Sequence, residues 1–162
     1  MLQFRPAIQN DMDAIYEMYM DHASNPFLTY DPMPESEFAG IYAGLITSAT
    51  LYIASDKEKV VATFRLIPKT HRQAHVLYLG SFVIHYSMQG KGIGSKTLNH
   101  IREYAISKGF KRIELTVDIH NDAAIHLYKK AGFMVEGIVK KSYRLQSTGL
   151  YYDEYLMAMF PE

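Results

Sequence analysis

Apolar residues recur along the chain at two different periods, and the change from one to the other sets the order of elements. Leu2 to Ile8 reads as a short strand ended by polar residues. Met12, Ile15, Tyr16, Met18 and Tyr19 then return every three or four residues, as one face of a helix does, with Asn10 or Asp11 placed to cap it and the face fading at His22. The following segment, NPFLTYDPMPESEF, holds three prolines and three aromatics and predicts an ordered but irregular loop. A second helix is predicted from near Pro34, with Ser36 as its cap, through Phe38, Ile41, Tyr42 and Leu45.

Alternation takes over next. Thr50 to Ala54 and Val60 to Ile67 predict a hairpin across Asp56-Lys57-Glu58-Lys59, and a longer strand follows from about Ala74 to His85. Its apolar part, Val76 to Ile84, leads into Gln89-Gly90-Lys91-Gly92-Ile93-Gly94. Helical spacing returns with Ile93, Thr97, Leu98, Ile101, Tyr104 and Ala105, so a helix is predicted over 92–108, closed by Gly109. Arg112 to Val117 alternates charged and apolar residues as a strand with one buried face does. Strand, helix and strand in so short a span predict a parallel pair with a right-handed crossover. Asn121 then caps a last helix with Ala124, Ile125, Leu127, Tyr128 and Ala131 on its inner side, ended by Gly132. Two final strands, about Phe133 to Tyr143 and Leu150 to Phe160, meet at Gln146-Ser147-Thr148-Gly149. The whole reads as one α/β domain, residues 1–162, with a mixed sheet.

Composition narrows the chemistry. Seventeen basic residues balance seventeen acidic ones, which gives no electrostatic footprint for nucleic acid or a membrane surface. The absence of cysteine removes disulfides, thiolate nucleophiles and Cys-based zinc sites. No stretch approaches a membrane span, and MLQFRPAIQNDMD lacks the apolar core of a signal peptide, so a cytoplasmic protein is expected. The seven histidines show no metal-ligand spacing backed by carboxylates, and no metal is expected. His85 and His126 read as surface or satisfied core groups, and the Lys pairs at 129–130 and 140–141 as solvated faces.

The glycine-rich stretch is the first candidate site. At a strand-to-helix junction the first helical N–H groups have no internal partners, the helix dipole adds partial positive charge, and glycines let a ligand approach the main chain. Such a turn is a seat for an anion, phosphate above all. Three other readings compete. The dinucleotide fingerprint G-x-G-x-x-G fails because position 95 is Ser; GKGIGSKT approaches the triphosphate loop G-x-x-x-x-G-K-[ST] but has Ser95 in place of its second Gly; and a turn whose glycines serve only close packing needs no ligand.

The order of elements and two motifs resemble the GNAT family of N-acetyltransferases, which move an acetyl group from acetyl-coenzyme A to an amine. FVIHYSMQGKGIG is similar to the family's strand followed by Q/R-x-x-G-x-G/A, and NDAAIHLYKKAGF is similar to N-x-x-A-x-x-L-Y-x-x-x-G-F. The resemblance covers essentially the whole chain and implies a single-domain, mixed, splayed β-sheet flanked by helices on both faces. It implies acetyl-coenzyme A as co-substrate, its acetyl and pantetheine part along Phe82, Val83 and Ile84, its pyrophosphate on Gln89, Gly90, Lys91, Gly92, Ile93, Gly94 and Ser95, and Asn121 facing the cofactor arm. It also implies Tyr128 as the general acid. A phenol suits that task, since its unperturbed pKa of about 10 lies above that of a thiol. The main-chain N–H of Ile84 is a donor for the developing oxyanion. Without the motif, Tyr128 reads as a core tyrosine of its helix face.

The sequence departs from the family pattern at two positions, of which the first, outside the phosphate seat, is harmless. Tyr86 stands where many members have Pro, and Thr116 stands where some relatives carry a catalytic Glu. The general base is therefore open: Tyr78, at even spacing from Phe82 and Ile84, is one candidate, and Asp31, Glu35, His75, His120 and Glu154 are others. Phe27 and Tyr30, on the proline-rich loop, are expected with Tyr78 to meet the substrate. The family resemblance favours a small-molecule amine, an amino acid or a related compound; a protein N-terminus, a polyamine or a non-catalytic module that binds coenzyme A are the alternatives. A homodimer is expected from the long apolar C-terminal segment YYDEYLMAMF, read as an unpaired edge.

Overall fold

The structure, a computed structural model, describes residues 1–162. Seven strands and four helices follow one another as β1 (Gln3–Pro6), α1 (Met12–Met20), α2 (Glu35–Thr47), β2 (Leu51–Asp56), β3 (Lys59–Pro68), β4 (Val76–Ile84), α3 (Ile93–Ser107), β5 (Arg112–Asp118), α4 (Asp122–Lys130), β6 (Met134–Arg144) and β7 (Tyr151–Met159). The strands make a mixed open sheet in the order β1-β2-β3-β4-β5-β7-β6. By contact density the chain divides into two compact units, residues 1–66 with 81–94 and residues 67–80 with 95–162. No helix is long and apolar enough to cross a membrane.

In the first unit β1 and β3 flank β2, antiparallel on both sides. The β2–β3 hairpin turns on Lys57 and Glu58, both at positive φ (46° and 69°), the backbone that a two-residue hairpin of matching twist requires. Burial follows the predicted helical faces: Ile15, Met18 and Tyr19 of α1 and Phe38, Tyr42 and Leu45 of α2 close over Leu51 and Ile53. Phe38 is the hub, its ring lying 5.5 Å, 5.7 Å and 6.0 Å from those of Tyr16, Tyr19 and Tyr42.

Both predicted caps of these helices are corrected. Asp11 occupies the cap position of α1, but its carboxylate is committed elsewhere. It accepts two bonds from Arg5, at 2.7 Å and 2.9 Å, and one from the Ile8 N–H at 2.8 Å. α2 begins one residue before Ser36, at Glu35, with Pro34 in the cap position. A proline there has no N–H to leave unsatisfied, and its extended ψ of 151° turns the chain into the helix.

In the second unit β4 pairs parallel with β5 over only three residues of each, Val76–Tyr78 against Arg112–Glu114, as the strand-helix-strand order predicts. β5, β7 and β6 are antiparallel. The core includes Leu77 and Leu79 of β4, Leu98, Ile101 and Ala105 of α3, Ile113 and Leu115 of β5, and Met157 and Ala158 of β7. Glu114 is buried and charged, which is tolerable only with partners. Lys69 and Arg112 supply them, and Arg112 also grips Glu136 through two further bonds.

The expected unpaired edge lies elsewhere. β7 is interior, with β5 on one side and β6 on the other, and the edge strand is β6. The last strand in sequence is inserted between its predecessors, an order that local patterning does not encode. β6 carries irregularities between Val135 and Gly137 and between Val139 and Tyr143, and exposes Met134, Val135, Ile138 and Val139.

Asp11 generates an acid-stability prediction. Burial alone would raise its pKa, but the bonds from Arg5 and the Ile8 N–H outweigh this and hold the carboxyl below the usual range. A depressed folded pKa contributes stability above the unfolded value of about 3.9, and that contribution is lost as pH falls through the folded value. Asp11→Asn should therefore cost about 1–3 kcal/mol at neutral pH. In urea titrations at several pH values the gap from wild type should close below about pH 4. A gap that persists unchanged into strong acid would contradict the assignment.

Candidate functional site

In the first unit the site residues are carried by the second half of β4 and the turn after it. Ser81 has φ 45°, a left-handed backbone in the middle of a strand. Phe82 packs on Phe64 with ring centroids 6.4 Å apart, Val83 is buried in the core under α1 and α2, and Ile84 packs on Ala54, Val61, Ala62 and Ile93. The His85 N–H bonds to the Val61 carbonyl at 2.9 Å, which carries the strand's pairing one residue past its end. A 3-10 turn, Tyr86–Met88, then delivers Gln89 to the glycines.

Gly90 and Gly92 have φ of 72° and 77°, the conformation that glycine adopts without penalty. A Cβ built on either would meet nothing within 4 Å. These glycines are thus needed for backbone direction and leave the main chain open, rather than being packed against a neighbour. Gln89, Gly90, Lys91, Gly92 and Ser95 are exposed, while Ile93 and Gly94, the first residues of α3, are buried. Exposed main chain beside an α-helical N-terminus, with Lys91 in the same turn, fits an anionic ligand.

The proline-rich loop belongs to the same unit. Phe27 lies at its 3-10 turn and is 42% exposed. Tyr30 is half-buried and stacks on Tyr19 at 6.2 Å. Asn25 fixes both, since its buried amide donates to the carbonyls of Tyr19 and Tyr30 at 2.8 Å and 2.9 Å. Thr29 brings its hydroxyl to 3.4 Å from that of Ser81, so the loop and the left-handed residue of β4 meet.

In the second unit Tyr78, Thr116 and Tyr128 come together. The hydroxyls of Tyr78 and Thr116 are 3.1 Å apart. Tyr128, on α4, is 6% exposed; burial pushes its phenol well above the ordinary tyrosine value, and the neighbouring Tyr78 adds to the rise. Its ring stands edge-on to Phe133 at 5.7 Å. The Phe133 N–H returns to the Tyr128 carbonyl at 3.0 Å across Gly132, whose φ is 102°, so the glycine past the helix end fixes the turn on which Tyr128 sits. At the other end of α4, Asn121 accepts the Ala124 N–H at 3.3 Å, as predicted for a cap. Asp118 holds the turn before it by accepting from the His120 N–H at 2.7 Å and from the Tyr143 hydroxyl.

The remaining base candidates are dispersed. Glu154 accepts from the Ser142 hydroxyl, His75, His120 and Glu35 are exposed, and Asp31 is half-buried on the proline-rich loop. His85 is buried with both ring nitrogens facing partners, and His126 is exposed. The fold also forms a cleft that the sequence patterns do not announce, of about 230 Å³ and lined by Ser95, Leu98, Asn99, Arg102, Lys130 and Ala131. Its signal in the residues is the polar stripe Ser95, Asn99 and Arg102 at helical spacing on α3; Lys130, which by itself reads as a solvated face, completes it.

Comparison with known proteins bears on the family and the fold. The profile of a family described as the acetyltransferase (GNAT) family matches residues 12–133. The YwnH protein of Bacillus subtilis (strain 168) is 26% identical over 145 residues, 85% of this chain and 86% of that one. The L-amino acid N-acetyltransferase AaaT of Escherichia coli (strain K12) is 38% identical over 88 residues, 54% of this chain and 52% of its own. Among solved structures, the spermidine N-acetyltransferase of Vibrio cholerae in complex with CoA and spermine superposes with a TM-score of 0.84 at 21% identity, covering 99% of this chain and 95% of that one, a likeness of fold.

The Asn121 cap can be tested apart from any ligand. Asn121→Ala should lower the stability of the chain by about 1 kcal/mol, and Asn121→Asp, which keeps a side-chain acceptor, should lower it by much less. Urea midpoints of the two variants decide this; equal losses would mean that the cap bond carries nothing.

Proposed function

Because the chain belongs to the acetyltransferase (GNAT) family, an acyltransferase family, we propose that it transfers acetyl from acetyl-coenzyme A to the amine of a small molecule by direct attack, an amino acid or related amine being the acceptor. The observation that supports this most directly is the buried phenol of Tyr128 beside Tyr78. Acyl transfer from a thioester needs a donor for the leaving sulfur, and a phenol whose pKa is raised by burial stays protonated at neutral pH. Tyr78, bonded to Thr116 where some relatives carry a glutamate, is the proposed relay for the proton that leaves the amine. The open main chain at Gly90 and Gly92 supports the pyrophosphate seat, with Phe82 to Ile84 alongside the acetyl and pantetheine part and Asn121 toward the same arm. Phe27 and Tyr30 are proposed to meet the acceptor.

AaaT, similar over half of each chain, acts on amino acids and favours that class of acceptor. A polyamine or a protein N-terminus is the second reading, and a module that binds coenzyme A without turnover is the third. Thermal shift with acetyl-coenzyme A against ATP and magnesium, followed by thiol release with a panel of amines, tests all three. Stabilisation by acetyl-coenzyme A alone and turnover with amino acids are expected; stabilisation by ATP alone would overturn the reading, and binding without turnover on any amine would favour the module. Tyr128→Phe keeps the ring and removes the donor, so turnover should fall by roughly 10²–10⁴ with little change in acetyl-coenzyme A affinity. Turnover within about threefold of wild type would return Tyr128 to a packing role, since a positioned general acid contributes far more than that.

A homodimer is proposed through the β6 edge, not through β7. That edge exposes apolar Met134, Val135, Ile138 and Val139, a composition that isolated edge strands avoid because it invites pairing. Light scattering should give twice the monomer mass, and a monomer at micromolar concentration would remove the proposal.

A further inference from the structure

The geometry points to His85 as a positioning residue for the turn that feeds the glycine-rich seat; this rests on the reading of residues 89–94 as the place where acetyl-coenzyme A binds. His85 is 5% exposed, and every polar group it owns has a partner in the first unit. Its main-chain N–H is tied to Val61 at 2.9 Å and its carbonyl accepts the Met88 N–H at 2.8 Å. Its ring nitrogen Nδ1 accepts the Ser87 N–H at 3.2 Å and lies 2.8 Å from the Ser87 hydroxyl. Nε2 faces Glu17 of α1 at 3.5 Å, and the ring stacks on that of Tyr86 at 4.4 Å.

The chemistry fixes the tautomer. A main-chain N–H can only donate, so Nδ1 must be the accepting nitrogen and the ring proton belongs on Nε2, toward the Glu17 carboxylate. In this form the imidazole acts as a brace with one edge toward Glu17 of α1 and the other on the turn. Only Gln89 separates that braced turn from Gly90. The seat itself has no side chain to stiffen it at Gly90 or Gly92, and glycine is the residue with the most conformational freedom to lose. Holding its entrance therefore lowers the ordering cost that a ligand would otherwise meet, and this is the contribution assigned to His85.

Asparagine and glutamine separate the two ends of the ring. Asn carries an acceptor on Cγ, where Nδ1 is, and has nothing to reach Glu17; Gln sets its amide one bond further out, toward the Nε2 side. Isothermal titration of the full chain with acetyl-coenzyme A should show His85→Asn within about twofold of wild type, with His85→Ala and His85→Gln each weaker by about five- to tenfold, the worth of one hydrogen bond. Hydrogen exchange at the Ser87 amide in the ligand-free protein should be slow in wild type and His85→Asn and fast in the other two. Equal affinities in all three variants, or a Ser87 amide that exchanges as fast in wild type as in His85→Gln, would overturn the assignment. If His85→Ala does not fold, the Asn and Gln pair alone decides. A wild-type chain that takes up no acetyl-coenzyme A would instead bring down the cofactor reading, and this inference with it; a wild type that binds, with His85→Gln equal to it, brings down the inference alone.

Discussion

Ser81 places a left-handed residue in the middle of strand β4, and much else depends on it. A non-glycine residue at φ 45° costs about 1–2 kcal/mol relative to an ordinary strand conformation, so the surrounding structure must hold it there. On its C-terminal side Val83 is sunk in an apolar core, and the N–H of His85, just past the strand, is tied to Val61. The N-terminal side is equally committed, for Val76–Tyr78 are zipped to β5. The register of β5 with β4 ends at Glu114, whereas its register with β7 runs on to Asp118. The parallel pairing of β4 with β5 ends at Tyr78, and residues 76–80 and 81–84 belong to different compact units. Strain retained at such a point is characteristic of functional positions.

A neutral chain that binds an anion must find its positive potential locally. In the proposed seat the source is the main chain: the exposed residues 90–92 just before α3, where two glycines stand at positive φ. Lys91 is the one formal cation within residues 89–94. A seat of this kind draws selectivity from shape, because its donors are main-chain groups whose directions the turn sets. Its quality then depends on how firmly the turn is held, which is why a buried histidine with no proton-transfer task still matters to the site.

Much of this is legible in the residues. Asn121 and Gly132 bracket α4 because capping chemistry is local, and the core faces of α1 and α2 follow from helical spacing alone. The features that escape prediction are those that depend on distant chain. Asp11 has the right residue type for a cap, but Arg5, six positions earlier, takes its carboxylate. Alternation reveals a strand without revealing its neighbours, so the C-terminal strand reads as an edge although β7 enters between β5 and β6. Ser81 gives no sign of its left-handed φ, since serine has no preference for it. Lys130 reads as solvated because the residues that complete its cleft lie about thirty positions away, at Ser95 to Arg102.

The pair of phenols in the second unit carries its own logic for the proposed reaction. An unperturbed thiol has a pKa of about 8.5, so a phenol raised by burial does not simply hand its proton to a thiolate in the ground state. Its use is as a donor already in position, whose hydrogen bond strengthens as negative charge gathers on sulfur and whose proton follows when that charge is complete. Tyr78 reinforces this division of labour. As a relay, Tyr78 passes its own hydroxyl proton to solvent water as it receives the one from the amine, so it ends neutral as it began, and its closeness to Tyr128 helps keep that phenol protonated. Thr116 fits the same scheme: its hydroxyl, 3.1 Å from that of Tyr78, is a neutral partner for the relay, where a glutamate would add a charge of its own.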